Sequence, residues 1–306
     1  MNENQTLNQT SHHKGMGMKA KKTVGNTLGY ITLILISIVW LIPFVCIVVQ
    51  SFRVETKNMT SYILPYEWGF DNYVTLFTET KFLQWYGNTL IIALVSCVGQ
   101  TAFILAMSYV LSRLRFKGRK FLMNFMLVLG MFPGFLTMIL IYFVLKMIPL
   151  YDATGAQIGF TQANSIPGLI IIYIASSGMG YYVCKGFFDT IPKSLDEAAR
   201  VDGATRAQVF WKIILPLAKP IIIYTVLTGF MAPWGDFIMA SMVAMGNNDG
   251  YNVAVGLYSW LTPDQIANKY TIFCAGGVCV AIPVTLLFMF LQKYYVEGVT
   301  GGAVKG

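Results

Sequence analysis

Charge is scarce in this chain. Of its 306 residues only 12% are Asp, Glu, Lys or Arg, where about 25% is usual for a soluble domain. Apolar residues supply 56% instead, against roughly 45–50% in such domains. Histidine is nearly missing too. His12 and His13 stand together in a polar N-terminal tail, so no imidazole is available elsewhere for catalysis or metal binding. The 28 glycines include not one Gly-Lys dipeptide, and the Gly-x-x-x-x-Gly-Lys-Ser/Thr cradle for nucleotide phosphates cannot be built without it. The chain does not hydrolyse ATP itself. Its cysteines, Cys46, Cys97, Cys184, Cys274 and Cys279, show no Cys-x-x-Cys or metal-type spacing. They read as small packing residues rather than disulfide or zinc ligands. No internal repeat and no low-complexity tract is present.

What the chain has in excess is apolar residues gathered into long runs. Six windows, near 29–50, 89–111, 121–145, 167–187, 220–243 and 271–292, are long enough to span a bilayer, which takes about 20 apolar residues each. The expectation is an all-α, polytopic membrane protein with six transmembrane helices. The net charge of +8 could suggest nucleic acid, but its distribution says otherwise. With a cytoplasmic N-terminus, 17 Lys and Arg fall inside and only Arg53, Lys57, Lys81, Lys146 and Lys269 outside. That is the positive-inside bias, and it places both termini in the cytoplasm of a plasma-membrane protein. The chain then divides into a cytoplasmic tail 1–27, a first span with its outside loop 28–84, a five-helix core 85–293 holding a cytoplasmic loop 190–218, and a second tail 294–306. The first apolar run is too long and too far in to be a cleavable signal.

Outside, "GFDNYVTLFTETKF" reads as a short amphipathic surface helix with Asp71 as its N-cap and Tyr73, Val74, Leu76 and Phe77 on the apolar side. The loop 244–269 mixes turn residues with aromatics and is expected to pack over the outer mouth. Within the spans, Pro133 with Gly134 and Gly178 with Gly180 interrupt the third and fourth runs, either for close helix packing or where backbone lines a cavity. Asp236, in "FMAPWGDFIMA", is the exceptional carboxylate of the apolar runs. A charge there costs about 2.5–3.5 kcal/mol by insertion scales. It is therefore either bonded to a neighbouring helix or part of a polar solute path, with Trp234 and Tyr181 as aromatic candidates beside it.

The segment "EAARVDGATRAQVFWKIILP", Glu197 to Pro216, is charged and helix-prone between two apolar runs. Ser194 with Glu197 fits a capping box that starts a helix at Leu195. Gly203 fits the left-handed residue that closes one. A second helix presents Val209, Phe210, Ile213 and Ile214 on one face, Leu215-Pro216 ends it, and Pro220 opens the next span. On physical grounds alone this elbow could be a surface helix pair at the headgroups.

The spacing Glu197-Ala198-Ala199, Gly203 six residues after Glu197, then Ile213-x-Leu215-Pro216 resembles the cytoplasmic "EAA" loop of ABC-importer permeases, in the same topological slot. "KGFFDTIPKSLDEAA", "FDNY" and the C-terminal "GVTGGAVKG" extend the resemblance to maltose/oligosaccharide permeases, specifically the smaller subunit of the heterodimer. One departure is Gly235, where that family commonly has Asn between Trp and Asp. The resemblance implies a sugar-importing permease working by alternating access. It implies a second homologous permease, two cytoplasmic ATPase subunits that bind the ATP and Mg, and an extracytoplasmic solute-binding protein, with no cofactor on this chain. Glu197, Ala198, Ala199, Asp202, Gly203, Ile213, Leu215 and Pro216 would then carry the coupling to an ATPase. Rival readings are an ABC permease for a non-sugar solute, or an ion-coupled transporter, which would want several intramembrane carboxylates.

Overall fold

The computed structural model describes residues 18–147, 150–151, 157–158, 165–244 and 246–303. Most of the polar N-terminal tail, most of the loop 147–166 and the last three residues lie outside the described residues. Among the described residues the regular structure is helical apart from a two-residue antiparallel pair, Leu150–Tyr151 with Gln157–Ile158, and a single bridge between Arg53 and Trp68 in the loop 52–70. It divides into two units, residues 1–48 and 49–306.

The first unit is most of α1 (Met18–Ser51), whose side chains from Gly25 to Val45 are exposed. In the second unit, α2 (Asp71–Thr78) is a surface helix as expected, but not with the expected cap or face. Asp71 is its first residue, the cap is Phe70, and no side chain caps it. Asn72 and Leu76 point inward, while Val74 and Phe77 remain exposed. Asn72 holds the helix in place by donating to the carbonyls of Ser51 and Arg53 at 3.0 and 2.7 Å. Its own carbonyl accepts from the Thr271 hydroxyl at 2.8 Å.

Three unbroken helical stretches are long and apolar enough to cross a membrane: Gly25–Ser51, Phe82–Arg113 and Pro263–Lys293. The other apolar runs are broken, and each break has a local cause. The third run is α4 (Arg119–Gly130) and α5 (Gly134–Met147), split where Pro133 supplies no N–H. The fourth is α6 (Ser165–Ala175) and α7 (Gly178–Thr190), with a bend of 41° between Ser165–Ala175 and Gly180–Thr190. At that bend the Ser176 and Ser177 hydroxyls donate back to the carbonyls of Ile172 and Ile174, so both hydroxyls are satisfied inside the protein. Gly180 also permits a close approach: a Cβ there would come within 2.5 Å of Ile104. The run expected at 220–243 ends early, as α11 (Lys219–Gly235), and resumes as α12 (Ile238–Ala244).

The hub is α3 (Phe82–Arg113). Its Phe82 and Trp85 join a cluster with Trp234 and Trp260 near one end of the molecule. Its Ile92 joins Leu169, Ile172 and Met239. Its Ile104 and Leu111 join Tyr181, Phe188, Val209 and Ile214 at the other end. Burying a Leu, Ile or Phe side chain contributes about 1.5–3 kcal/mol where the alternative is water; within lipid, close packing is the main gain. The loop over the first end is fastened to α3 by polar contacts. Trp85 Nε1 donates to the Asn248 carbonyl at 2.9 Å, and Asn88 donates to the carbonyls of Asp249 and Tyr251. The Val253 amide donates to the Thr89 hydroxyl at 2.7 Å.

Candidate functional site

At the other end stands the elbow. Its first helix, α8 (Lys193–Val201), begins two residues before the expected Leu195. The expected Ser194–Glu197 capping box is not formed, because Pro192 occupies the cap and Ser194 already lies inside the first turn. The C-terminal expectation holds. The Gly203 amide donates to the Arg200 carbonyl at 3.1 Å and the Ala204 amide to the Ala199 carbonyl at 2.9 Å, the paired bonds of a Schellman close. Gly203 sits at φ +83°, with nothing within 4 Å of where a Cβ would go. The constraint there is backbone conformation, not space.

A capping box does occur, eight residues beyond Glu197. The Thr205 hydroxyl accepts from the Gln208 amide and the Gln208 side chain accepts from the Thr205 amide, starting α9 (Arg206–Val209). The helix then widens to a π turn over Phe210–Ile214, closed by the Leu215 amide on the Phe210 carbonyl. Pro216 explains the widening. A proline ring collides with the carbonyl four residues back, here Lys212, and has no N–H to offer. The segment does not end at Leu215-Pro216 but continues as α10 (Leu215–Leu217). The bend falls at buried Ala218, where Arg206–Leu217 meets Lys219–Gly235 at 80°.

Val209, Ile214 and Ala218 anchor the elbow, buried against Leu111, Phe188 and Ile191. Ala199, Ile213 and Leu215 are half-buried. Glu197, Ala198, Asp202, Gly203 and Pro216 are exposed, as are Leu195, Val201 and Trp211. The surface the elbow offers is thus small and apolar side chains with the carboxylates of Glu197 and Asp202, on a buried mount. That mount depends on residues that composition did not single out. Arg113, at the end of α3, donates through Nη2 to the carbonyls of Phe188 and Ile191 at 3.0 and 2.9 Å. Its Nε pairs with Asp196 at 3.3 Å. Tyr109 donates to the Arg206 carbonyl and packs on Phe210 at 4.8 Å between ring centroids. In the sequence Arg113 counts only as one more basic residue after an apolar run.

Of the three residues considered for a solute path, Asp236 has protein hydrogen-bond partners, while Trp234 Nε1 and the Tyr181 hydroxyl are buried without one among the described residues. Asp236 stands in the break between α11 and α12. Its Oδ2 accepts from the Tyr173 hydroxyl at 2.5 Å, and its Oδ1 caps α12 by accepting the Met239 amide at 3.1 Å. Asn252 Nδ2 bridges the carbonyls of Asp236 and Pro233. Trp234 is buried between Tyr86 and Phe230. Tyr181 is buried beneath the elbow, its carbonyl accepting from the Ser108 hydroxyl. A polar, uncharged lining is found elsewhere. A cavity of about 240 Å³ is walled by Gln100, Ser176, Ser177, Tyr224, Thr225 and Thr228, with Ile104, Gly180 and Val183. Sequence patterning missed this group because its residues are spread over three helices and none is charged.

Residues 101–301 match the family described as binding-protein-dependent transport system inner membrane component. The chain is 35% identical over 291 residues to the maltodextrin transport system permease protein MdxG of Bacillus subtilis, covering 95% of this chain and 100% of that one. It is 33% identical to the galactooligosaccharides transport system permease protein GanQ of the same organism, over 94% of this chain and 99% of the relative. A bacterial ABC transporter involved in import of the acidic polysaccharide alginate shares the fold, with a TM-score of 0.70 at 21% identity over 90% of this chain and 98% of that one. With the match running through nearly the whole helical core, the chain belongs to the family of inner-membrane permease components of binding-protein-dependent ABC transport systems.

Proposed function

We propose that this chain is one of two homologous permease subunits of an importer that moves a sugar or oligosaccharide across the plasma membrane by alternating access. The relatives named for maltodextrin and galactooligosaccharide transport support the cargo class. The uncharged hydroxyl and amide lining of the cavity at Gln100 and Thr228 suits such a solute better than an ion. In this reading six spans place both termini in the cytoplasm, with α4 and α5 together forming the third. A solute-binding protein delivers cargo from outside. ATP and Mg reside on two cytoplasmic ATPase subunits, and this chain holds no cofactor.

The observation that carries the coupling role is the elbow: a helix closed by Gly203 at φ +83° and presented on a buried mount. Glu197, Ala198, Ala199, Asp202 and Gly203 would seat in a cleft of one ATPase, with Ile213, Leu215 and Pro216 setting the angle to the span. The test is sugar-stimulated ATP hydrolysis and uptake in vesicles holding the assembled transporter. Gly203→Val forces a β-branched residue into a left-handed conformation, which costs an L-residue about 1–2 kcal/mol. Ala199→Trp blocks close approach. Both should abolish coupling while the permease still inserts, and coupling at the wild-type rate in both would refute the docking role. In the same vesicles Gln100→Leu should impair uptake more than Asp236→Asn if the cavity is the solute path. The reverse order would return that role to Asp236 and its neighbours Trp234 and Tyr181.

A further inference from the structure

Two cavities open beside the elbow and share a wall. The first, about 400 Å³, is lined by Arg113, Arg115, Arg119, Lys193, Arg200 and Arg206. Only Asp196 and Glu197 oppose these six cations there. The second, about 560 Å³, has Arg115, Arg119 and Lys120 at its rim, but Phe116, Phe121 and Met123 give it an apolar wall. Arg115 and Arg119 belong to both. Phe121 is 74% exposed and Phe116 42%. Asp196 is already paired with Arg113 at 3.3 Å, so Glu197 alone faces the other five cations of the first cavity.

A soluble phosphate would use the first cavity and leave the aromatic wall of the second bare. A segment bearing acidic side chains alone would likewise leave that wall bare. An amphiphile fits both halves. The location agrees, because the apolar stretch of α3 ends at Arg113, the depth at which a spanning helix meets the headgroups. Guanidinium groups bind phosphate oxygens in a bidentate fork, and basic pockets at the cytoplasmic side of spanning helices attract anionic headgroups.

We propose that these joined cavities hold an anionic phospholipid. Its phosphodiester lies between Arg115 and Arg119, and an acyl chain lies against Phe116, Phe121 and Met123. The site goes beyond the transport role and requires only that this end of the chain lie at the headgroups. It is tested on the purified full-length chain by native mass spectrometry, with phosphatidylglycerol and phosphatidylcholine of matched chains as probes. Phosphatidylglycerol should be retained about tenfold more than phosphatidylcholine, and R115Q/R119Q should reduce that preference to about twofold or less, as expected when two headgroup cations are lost. An unchanged melting midpoint in R115Q/R119Q shows that folding is intact, and R115K/R119K should retain an intermediate preference, since lysine keeps the charge but not the bidentate fork. Equal lipid preference in R115Q/R119Q and wild type overturns the proposal. So does displacement of the lipid by an equal concentration of glycerol 3-phosphate, which would show a plain phosphate site. Displacement by the ATPase partner overturns it as well, since the pocket would then belong to a protein interface.

Discussion

Two arginines are buried at opposite ends of the molecule, and they are finished differently. Arg53 is 0% exposed at its side chain. Its Nη2 donates to the carbonyls of Tyr62 and Ile63 at 2.8 and 3.2 Å, its Nη1 to the Thr60 hydroxyl, and its Nε pairs with Glu55 at 3.4 Å. Its guanidinium also lies 4.4 Å over the Tyr62 ring. Arg113 is nearly as buried, at 3%, yet only Nη2 and Nε are engaged. The first folds the loop after α1 into a closed knot. The second fixes the elbow to α3 and leaves Nη1 without a partner. In both arginines Nε has an ion pair but no hydrogen bond, so similar depth of burial goes with one unsatisfied atom at Arg53 and two at Arg113.

The comparison can be broken most forcefully at Arg53. Arg53→Met removes the donors to Thr60, Tyr62 and Ile63 and the pairing with Glu55, which keeps the amides of Tyr66 and Glu67, and losing a buried cation with this many bonds should cost about 3–5 kcal/mol. Thermal unfolding of the purified chain should show that loss. A drop below about 1 kcal/mol would mean the knot is ornamental. Arg113→Met removes fewer bonds and should cost about 1.5–3 kcal/mol, measured the same way. Equal losses at the two sites would erase the distinction drawn here.

The smallest effect is expected at the exposed pair Lys81–Asp249, 2.7 Å apart with side chains 50% and 63% exposed. The hydrogen bond and charge of Lys81 hold the Asp249 carboxyl below its usual range. A lowered folded value means that any stability it adds is present above the ordinary carboxylate range and is lost as pH falls through the lowered value. Asp249→Asn should therefore differ slightly from wild type at neutral pH and low salt, and not at all in acid or high salt. A difference that survives acid would show that some other contact of Asp249 is responsible.

The sequence shows clearly whatever is decided locally. Gly203 closes α8 because the stop signal needs only one residue able to take positive φ. Apolar composition likewise marks α3 and the helix Pro263–Ala303 without any knowledge of their neighbours. The start of α8 differs from the expectation because Ser194-x-x-Glu197 carries the capping-box pattern while Pro192 takes the cap and starts the helix at Lys193. The same pattern at Thr205-x-x-Gln208 does form its box, at the start of α9. The break at Asp236 was hidden because it depends on Tyr173 and Asn252, 63 and 16 residues away. Arg53 and Arg113 were counted for their sign alone, since burial of a charge is a property of the assembled fold.

The π turn at Phe210–Ile214 makes the elbow sensitive to counting as well as to chemistry. Val209 and Ile214 are both buried, at 2% and 0%, while Trp211 between them is 68% exposed. In a regular helix two residues five apart point about 140° away from each other. The wide turn absorbs that mismatch and brings both onto one face. The segment from Thr205 to Ala218 therefore acts as a ruler. One residue more or fewer would swing the capped end about 100° around its axis, aiming an otherwise intact surface in the wrong direction.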